Sequence, residues 1–325
     1  MDYVGLGKTG LRVSRLCLGT MTYGTPAWRP WVLDEATSRP FIKRALDHGI
    51  NFFDTANMYS LGVSEEVVGR ALKDMTQRDQ VVIATKVYYP VDADQGQGLS
   101  RRQIMRAVDE SLRRLGIDYI DLYQIHRFDE RVPIEETCEA LHDVVKAGKA
   151  RHIGASSMAA YQFVKMVYTQ RLHGWTEFAT MQNHYNLVYR EEERDTIPFC
   201  LEEGIGMIPW SPLARGFLAG NRKRGEKSAS LRDQHDAWGH TLYFTEPDDA
   251  VVDRVVEIAA RKGVLPIQVA LAWILGKPGV TAPIVSATRL EQLDQLVAGM
   301  SVALTAEEVA ALEEPYLPHP VLGIE

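Results

Sequence analysis

The sequence predicts an α/β fold, a closed (β/α)8 TIM barrel, on three observations. Short apolar runs that read as strands alternate with longer amphipathic stretches that read as helices. There are eight such strands, at 16–19, 51–54, 81–86, 120–126, 150–156, 179–182, 205–210 and 282–286. No Pro- or Gly-rich linker interrupts the alternation, so residues 1–325 read as one domain. Strand–helix alternation calls for a parallel sheet, and eight strands are the number that closes a barrel.

The elements follow in order. Residues 1–15 read as an N-terminal hairpin, with 7–10 turning between 3–6 and 11–14, placed to close the bottom of the barrel. Helical patterns fall at 35–48, 64–74, 100–115, 134–147, 159–173 and 191–203. Ser64 ahead of Glu65 and Glu66, Ser100, and Pro133 are helix-start signals. Gly49, Gly116, Gly148, Gly174 and Gly204 stand just past helix ends, where a left-handed residue is wanted. Residues 211–246, rich in Gly, Arg, Lys and Ser, break the rhythm. A loop that long after a barrel strand is a candidate lid. Helices at 248–262 and 267–275 precede the last strand, and the tail adds an extra C-terminal helix at 306–314.

Composition narrows the function class. With 36 Lys and Arg against 43 Asp and Glu, the net charge is −7, which offers no footprint for nucleic acid or an anionic membrane. Cys17, Cys138 and Cys200 are an odd set without a CxxC pair and read as reduced thiols. The N-terminus lacks a targeting pattern, and no apolar run approaches the ~20 residues of a membrane span, so a cytoplasmic protein is expected.

Two motif matches fail on context. GLGKTG (5–10) fits G-x-G-x-x-G, but only four residues precede it, too few for a buried strand, and no helical period follows. YQFVK (161–165) fits a Tyr-x-x-x-Lys pair, but it lies inside an amphipathic helix, where i,i+4 pairs arise by chance.

The chemistry-bearing residues stand at strand C-terminal ends, the active-site face of such barrels. FFDTANMY (52–59), VVIATK (81–86) and DLYQIH (121–126) close three successive strands with Asp54, Lys86 and His126, and Tyr59 follows the first. Each alone has a bland reading as a cap, a surface lysine or a structural histidine. Together they are parts for protonating an oxygen while hydride reaches the adjacent carbon. A lysine ammonium beside a tyrosine hydroxyl favours the tyrosinate, an aspartate holds the lysine charged, and a neutral histidine orients a carbonyl. His235 and His240 lack a third ligand and do not make a metal site.

The chain resembles the aldo-keto reductase family over essentially its whole length. DTANMYSLGVSEEVVGRAL (54–72), IATK, the stretch ending QIH, IGASS and PWSPLARG (209–216) carry the resemblance, in the family's order and spacing. Within the family it most resembles the bacterial YajO-type reductases. The resemblance implies NADPH-dependent reduction of aldehydes and ketones by a tetrad of Asp54, Tyr59, Lys86 and His126. Tyr59 is then the general acid, Lys86 and Asp54 tune it, and His126 orients the substrate. It further implies Ser156, Ser157 and Gln182 at the nicotinamide carboxamide, with Ser157 standing where the family often has Asn. Trp210 then lies on the nicotinamide ring, and Ser211, Leu213, Arg215 and Gly216 cradle the pyrophosphate. Thr288, Arg289 and Gln292 hold the adenosine 2′-phosphate, which favours NADPH over NADH, while Gln295 and Leu296 depart from the family's adenine contacts.

Some residues stay open at this level. The basic run Arg222, Lys223 and Arg224 reads either as a solvated loop tip or as a clasp over phosphates. Tyr23, Trp28, Trp31 and Tyr88 read equally as walls of an apolar substrate pocket or as rim packing. Two rival functions also remain. One is a lyase or isomerase acting on sugar phosphates through a Lys86 Schiff base. The other is an NADP(H) redox sensor that reports to a protein partner.

Overall fold

The computed structural model describes residues 1–92, 96–220, 231–243 and 246–324. A two-stranded antiparallel hairpin, β1 (Tyr3–Gly5) and β2 (Arg12–Ser14), precedes an eight-stranded parallel sheet. The sheet and its helices run in order: β3 (Cys17–Gly19), α1 (Glu35–Asp47), β4 (Phe52–Asp54), α2 (Val63–Met75), β5 (Val82–Val87), α3 (Arg101–Leu115), β6 (Ile120–Ile125), α4 (Ile134–Lys146), β7 (Ala150–Ser156), α5 (Ala160–Leu172), β8 (Phe178–Gln182), α6 (Thr196–Glu203) and β9 (Gly206–Met207). Then come α7 (Leu231–His235), α8 (Ala237–Leu242), α9 (Glu246–Lys262), α10 (Pro266–Leu275), β10 (Ile284–Val285), α11 (Leu290–Gly299) and α12 (Ala306–Glu313).

Neighbours in the sheet follow chain order from β3 to β9, and β10 lies beside β3. The last seam closes through single bonds. Thr281 N donates to Met207 O at 2.8 Å and Ile284 N to Pro209 O at 2.9 Å. The fold is the (β/α)8 barrel with its N-terminal hairpin. Strands seven and eight are shorter than the sequence suggests, because both pair irregularly at this seam.

Alternation along each strand divides the core in two. Cys17, Phe52, Val82, Ala84, Leu122 and Ala282 point into the barrel and pack against Leu6 and Val13 of the hairpin. Leu18, Phe53, Ile83, Tyr123 and Ile125 point outward against the helices. The hairpin therefore plugs the bottom. Gly7 at its turn has φ +56°, and a Cβ there would sit 2.5 Å from Ala179 O, so only glycine fits.

Most element boundaries agree with the sequence reading, and the five helix-ending glycines all take positive φ. One start signal is corrected. Gly62, in left-handed backbone, is the N-cap of α2, and Ser64 lies inside its first turn. There the Ser64 hydroxyl donates to Thr20 O instead of capping the helix. Ser100 does cap α3, accepting from Gln103 N. The stretch 211–246 is less irregular than its composition suggests, since it contains a 3-10 turn over Ala214–Ala219 as well as α7 and α8. Arg222, Lys223 and Arg224 lie outside the described residues. Among the described residues, no single helix is long and apolar enough to cross a membrane.

Candidate active site

The parity that points Phe52, Ala84 and Leu122 inward also points Asp54, Lys86, Gln124 and His126 inward, one or two pleats nearer the top. Lys86 is 0% exposed and Asp54 2%. The Lys86 ammonium bonds an Asp54 carboxylate oxygen, Thr55 O at 2.8 Å and the Tyr59 hydroxyl at 3.4 Å. Each of its three protons has an acceptor. Burial alone pulls the Lys86 pKa down, but Asp54 and Tyr59 outweigh it and hold the ammonium above its ordinary range.

The other Asp54 oxygen accepts from Gln124 Nε2 and from Gln182 Nε2, both at 3.0 Å. Gln182 Nε2 also reaches Gln124 Oε1 at 3.2 Å. Gly154 makes this possible, because a Cβ there would stand 3.1 Å from the Gln124 side chain and 2.3 Å from Thr180 Oγ1. The buried ion pair is thus satisfied on both sides, the condition under which such a pair is tolerated.

The Tyr59 and His126 rings meet edge to face, 5.9 Å apart. Burial, then the charges of Lys86 and Arg127, push the His126 pKa well below its usual value, so the ring is neutral near pH 7. Its buried Nδ1 has no bonding partner among the described residues.

The residues read as cofactor ligands gather beside this cluster. Ser156 Oγ donates to Gln182 O at 2.8 Å, and Trp210 Nε1 donates to Ser157 Oγ at 2.8 Å. The Trp210 ring lies flat on His184, with centroids 4.0 Å apart. Beyond it, Ser211, Ala214 and Arg215 take positive φ. Ser60, Leu61 and Ser157 do so too, and these six are the only non-glycine residues with positive φ among the described ones. All six lie within two residues of a predicted site residue, the usual location of stored backbone strain. Arg215 bonds Asp236 and stacks on Trp238, 4.4 Å from the ring centroid, and Arg232 also reaches Asp236, at 3.3 Å.

One cavity of about 570 Å³ joins these groups, lined by Tyr59, His126, Ser156, Gln182, Trp210 and Arg215 and also by Thr288 and Gln292. Gln292 Oε1 accepts from the backbone N–H of Thr288 and of Arg289, both at 3.1 Å. Arg289 itself is exposed at the start of α11 and does not line the cavity. Leu296 does line it, whereas Gln295 gives its carbonyl to Gln268.

The aromatic question resolves residue by residue. Tyr23 is fully buried and donates to Ala287 O, and Trp31 is 6% exposed, so both are rim packing. Trp28 lines the cavity. Tyr88 does not; Tyr89 takes that place. The sequence reading also missed Gln124, Arg29, Arg127, Asp236 and Trp238. Gln124 was within reach, since it stands two residues before His126 and so shares its face. Arg29, Arg127 and Asp236 sit on loops, where no period applies, and Trp238 sits in the short helix α8 within the stretch read as a loop.

The family model for aldo/keto reductases matches residues 15–316. This chain belongs to the aldo/keto reductase family. It is accordingly an oxidoreductase, of a family that works with NAD(P)H on small carbonyl compounds. It is 47% identical to versiconal hemiacetal acetate reductase of Aspergillus parasiticus over 98% of both chains. It is 43% identical to an aldo-keto reductase of Fusarium vanettenii, over 99% of this chain and 93% of that one. A Schizosaccharomyces pombe protein bearing the provisional name aryl-alcohol dehydrogenase is 42% identical, over 99% and 97%.

Proposed function

We propose that this aldo/keto reductase is an NADPH-dependent enzyme that reduces aromatic aldehydes and ketones to alcohols, reversibly, with Tyr59 as proton donor. The observation that carries the reading is the buried Lys86 ammonium, shared between Asp54 and the Tyr59 hydroxyl. The cofactor, when bound, supplies the hydride. Ser156, Ser157 and Gln182 then hold its carboxamide and Trp210 its ring. The turn of Ser211, Leu213, Arg215 and Gly216 takes the pyrophosphate, and Thr288, Arg289 and Gln292 take the 2′-phosphate. Three features suit such a ligand. The Gln182 side-chain oxygen has no donor among the described residues, its NH2 being committed to Asp54 and Gln124. Trp210 borders the cavity, and Arg215 and Arg232 bring positive charge to its wall.

His126, held neutral, bonds the substrate carbonyl through Nε2 and sets it against Tyr59. Tyr59 gives its hydroxyl proton to the oxygen as the alcohol forms. Lys86, fixed by Asp54, stabilises the negative charge left on the Tyr59 oxygen. Gln124 holds Asp54 in place. Trp28 and Tyr89 wall the pocket and suit a flat aromatic substrate, in line with the name of the S. pombe relative. The Schiff-base rival needs a neutral Lys86 amine, and the Asp54 pairing works against one. The finer likeness to YajO-type reductases, one domain and a cytoplasmic setting belong to the same reading.

The test is a fluorescence titration with NADPH and with NADH, followed by an aldehyde panel. Saturable quenching by NADPH at lower concentration than by NADH is expected, with NADPH oxidation on 4-nitrobenzaldehyde. Arg289→Ala then weakens NADPH more than NADH. Absence of binding to either nucleotide defeats the reading.

A further inference from the structure

We propose that Arg29 forms an anion subsite in the substrate pocket and selects carbonyl compounds that carry a carboxylate. The proposal rests on the carbonyl-reductase reading and names a substrate class for that site.

Among the described residues, five charged side chains line the cavity: Arg29, Asp54, Arg127, Arg215 and Arg232. Asp54 is neutralised by Lys86, and Arg215 and Arg232 share Asp236. Arg127, 7% exposed, follows His126 in the chain and donates to His126 O at 2.7 Å. Its guanidinium carbon lies 5.9 Å from the Tyr89 ring centroid. Arg29 stands apart. Its guanidinium carbon sits 4.2 Å from the Trp28 ring centroid and 5.4 Å from that of Trp31. Among the described residues no acceptor bonds it. Asp236, the carboxylate that acts on Arg29 from a distance, is already engaged by the other two arginines.

A guanidinium stacked on indoles keeps its N–H groups directed outward in its own plane. Stacking also restrains it, so less freedom is lost when an anion binds. Half-buried and without a counter-ion among the described residues, Arg29 gives its part of the cavity a positive potential. A carboxylate matches its fork with two parallel bonds. Trp28 packs 6.4 Å from the Tyr59 ring, so the subsite adjoins the reacting group. Trp28, Tyr59 and Tyr89 all line the cavity, with the Tyr89 ring 5.2 Å from that of His126, and offer aromatic faces to a flat ring. An aromatic aldehyde with a carboxylate on the far side of the ring fits this layout, its aldehyde at Tyr59 and His126 and its carboxylate at Arg29.

The experiment compares 4-carboxybenzaldehyde with its methyl ester, a neutral analogue, in wild type, Arg29→Gln and Arg29→Lys. Wild type should favour the acid over the ester in kcat/KM by about tenfold or more. Arg29→Gln should raise KM for the acid by roughly 10- to 100-fold, the scale of a lost charge-assisted bond, and move KM for the ester far less. Arg29→Lys should recover part of the loss, and the Kd for NADPH should stay within about threefold in both variants. An equal KM rise for acid and ester overturns the proposal. So does a rise in the Kd for NADPH that accompanies it, which would place Arg29 on the cofactor phosphates. Quenching of tryptophan fluorescence by 4-carboxybenzaldehyde reads binding without turnover. If wild type reduces neither aldehyde, the reductase reading fails on its own. Tight quenching lost in Arg29→Gln then still upholds the subsite, and weak quenching unchanged by the substitution sinks it.

Discussion

At the hairpin end of the barrel, Leu6 and Val13 meet Phe52, Val82 and Leu122 in an apolar cluster. A few residues further along the same strands, Asp54, Lys86, Gln124 and His126 fill the interior with polar groups. The inward parity is the same at both ends; only the chemistry of the residues changes. The bottom gains its stability from packing. The top holds a buried ion pair that needs Gln124, Gln182 and Thr55 to satisfy it, together with six non-glycine residues in left-handed backbone. The difference teaches that stability and chemistry are separable in this chain, so mutations at the two ends should fail in different assays.

The largest expected effect is at the top. Tyr59→Phe removes the proposed proton donor but no packing, so kcat should fall by about 10²–10⁴-fold. The Kd for NADPH and the midpoint of urea unfolding should stay near wild type. Wild-type turnover in this variant would remove Tyr59 from its assigned role.

The matching change at the bottom is Phe52→Ala. It empties a fully buried ring site and should cost about 3–5 kcal/mol in urea unfolding. At 25 °C kcat per folded molecule should change little. A large loss of kcat without a loss of stability would show that the ends are coupled.

Gly7→Ala sharpens the same point at the plug. It forces a side chain into a positive-φ turn pressed against Ala179 O, at a cost of roughly 1–3 kcal/mol. Equilibrium unfolding measures it, and a neutral result would mean that the turn moves freely off the barrel floor.

The smallest effect concerns the tail that returns to the top. His319 Nε2 lies 2.9 Å from Asp248 Oδ1, and this hydrogen bond raises the His319 pKa above its ordinary value. The stabilisation is therefore fully present below the unfolded-state value of about 6.5 and fades as pH rises through the higher folded value. His319→Gln should cost roughly 1 kcal/mol at pH 5.5 and less at pH 8.5. Thermal unfolding of both proteins at the two pH values checks the sign.

How far the sequence could be read follows the range of the interactions. Phe52 with Asp54, Val82 with Lys86, and Leu122 with His126 share faces by a two-residue period, which is written locally. That period placed the strands, and it was enough to bring the Asp, Lys and His together at strand ends. The same rule reached Gln124, had it been applied one pleat earlier. It could not reach Tyr89 in place of Tyr88, since both lie past the end of β5. Nor could it say that Ser64 would bond Thr20 O, 44 residues away, instead of capping α2.

The sequence by itself determined the alternating elements, the left-handed glycines at helix ends and the identity of the groups at the strand tips. These depend on backbone sterics and side-chain periods within a few residues. Tertiary structure alone decided what those groups touch. Gln182 reaches Asp54 across 128 residues of chain, and Arg215 finds Asp236 rather than solvent. It also set Arg29 over two indoles with no counter-ion among the described residues. Such pairings arise when the barrel closes, and closure rests on bonds such as Ile284 N to Pro209 O that no local pattern encodes.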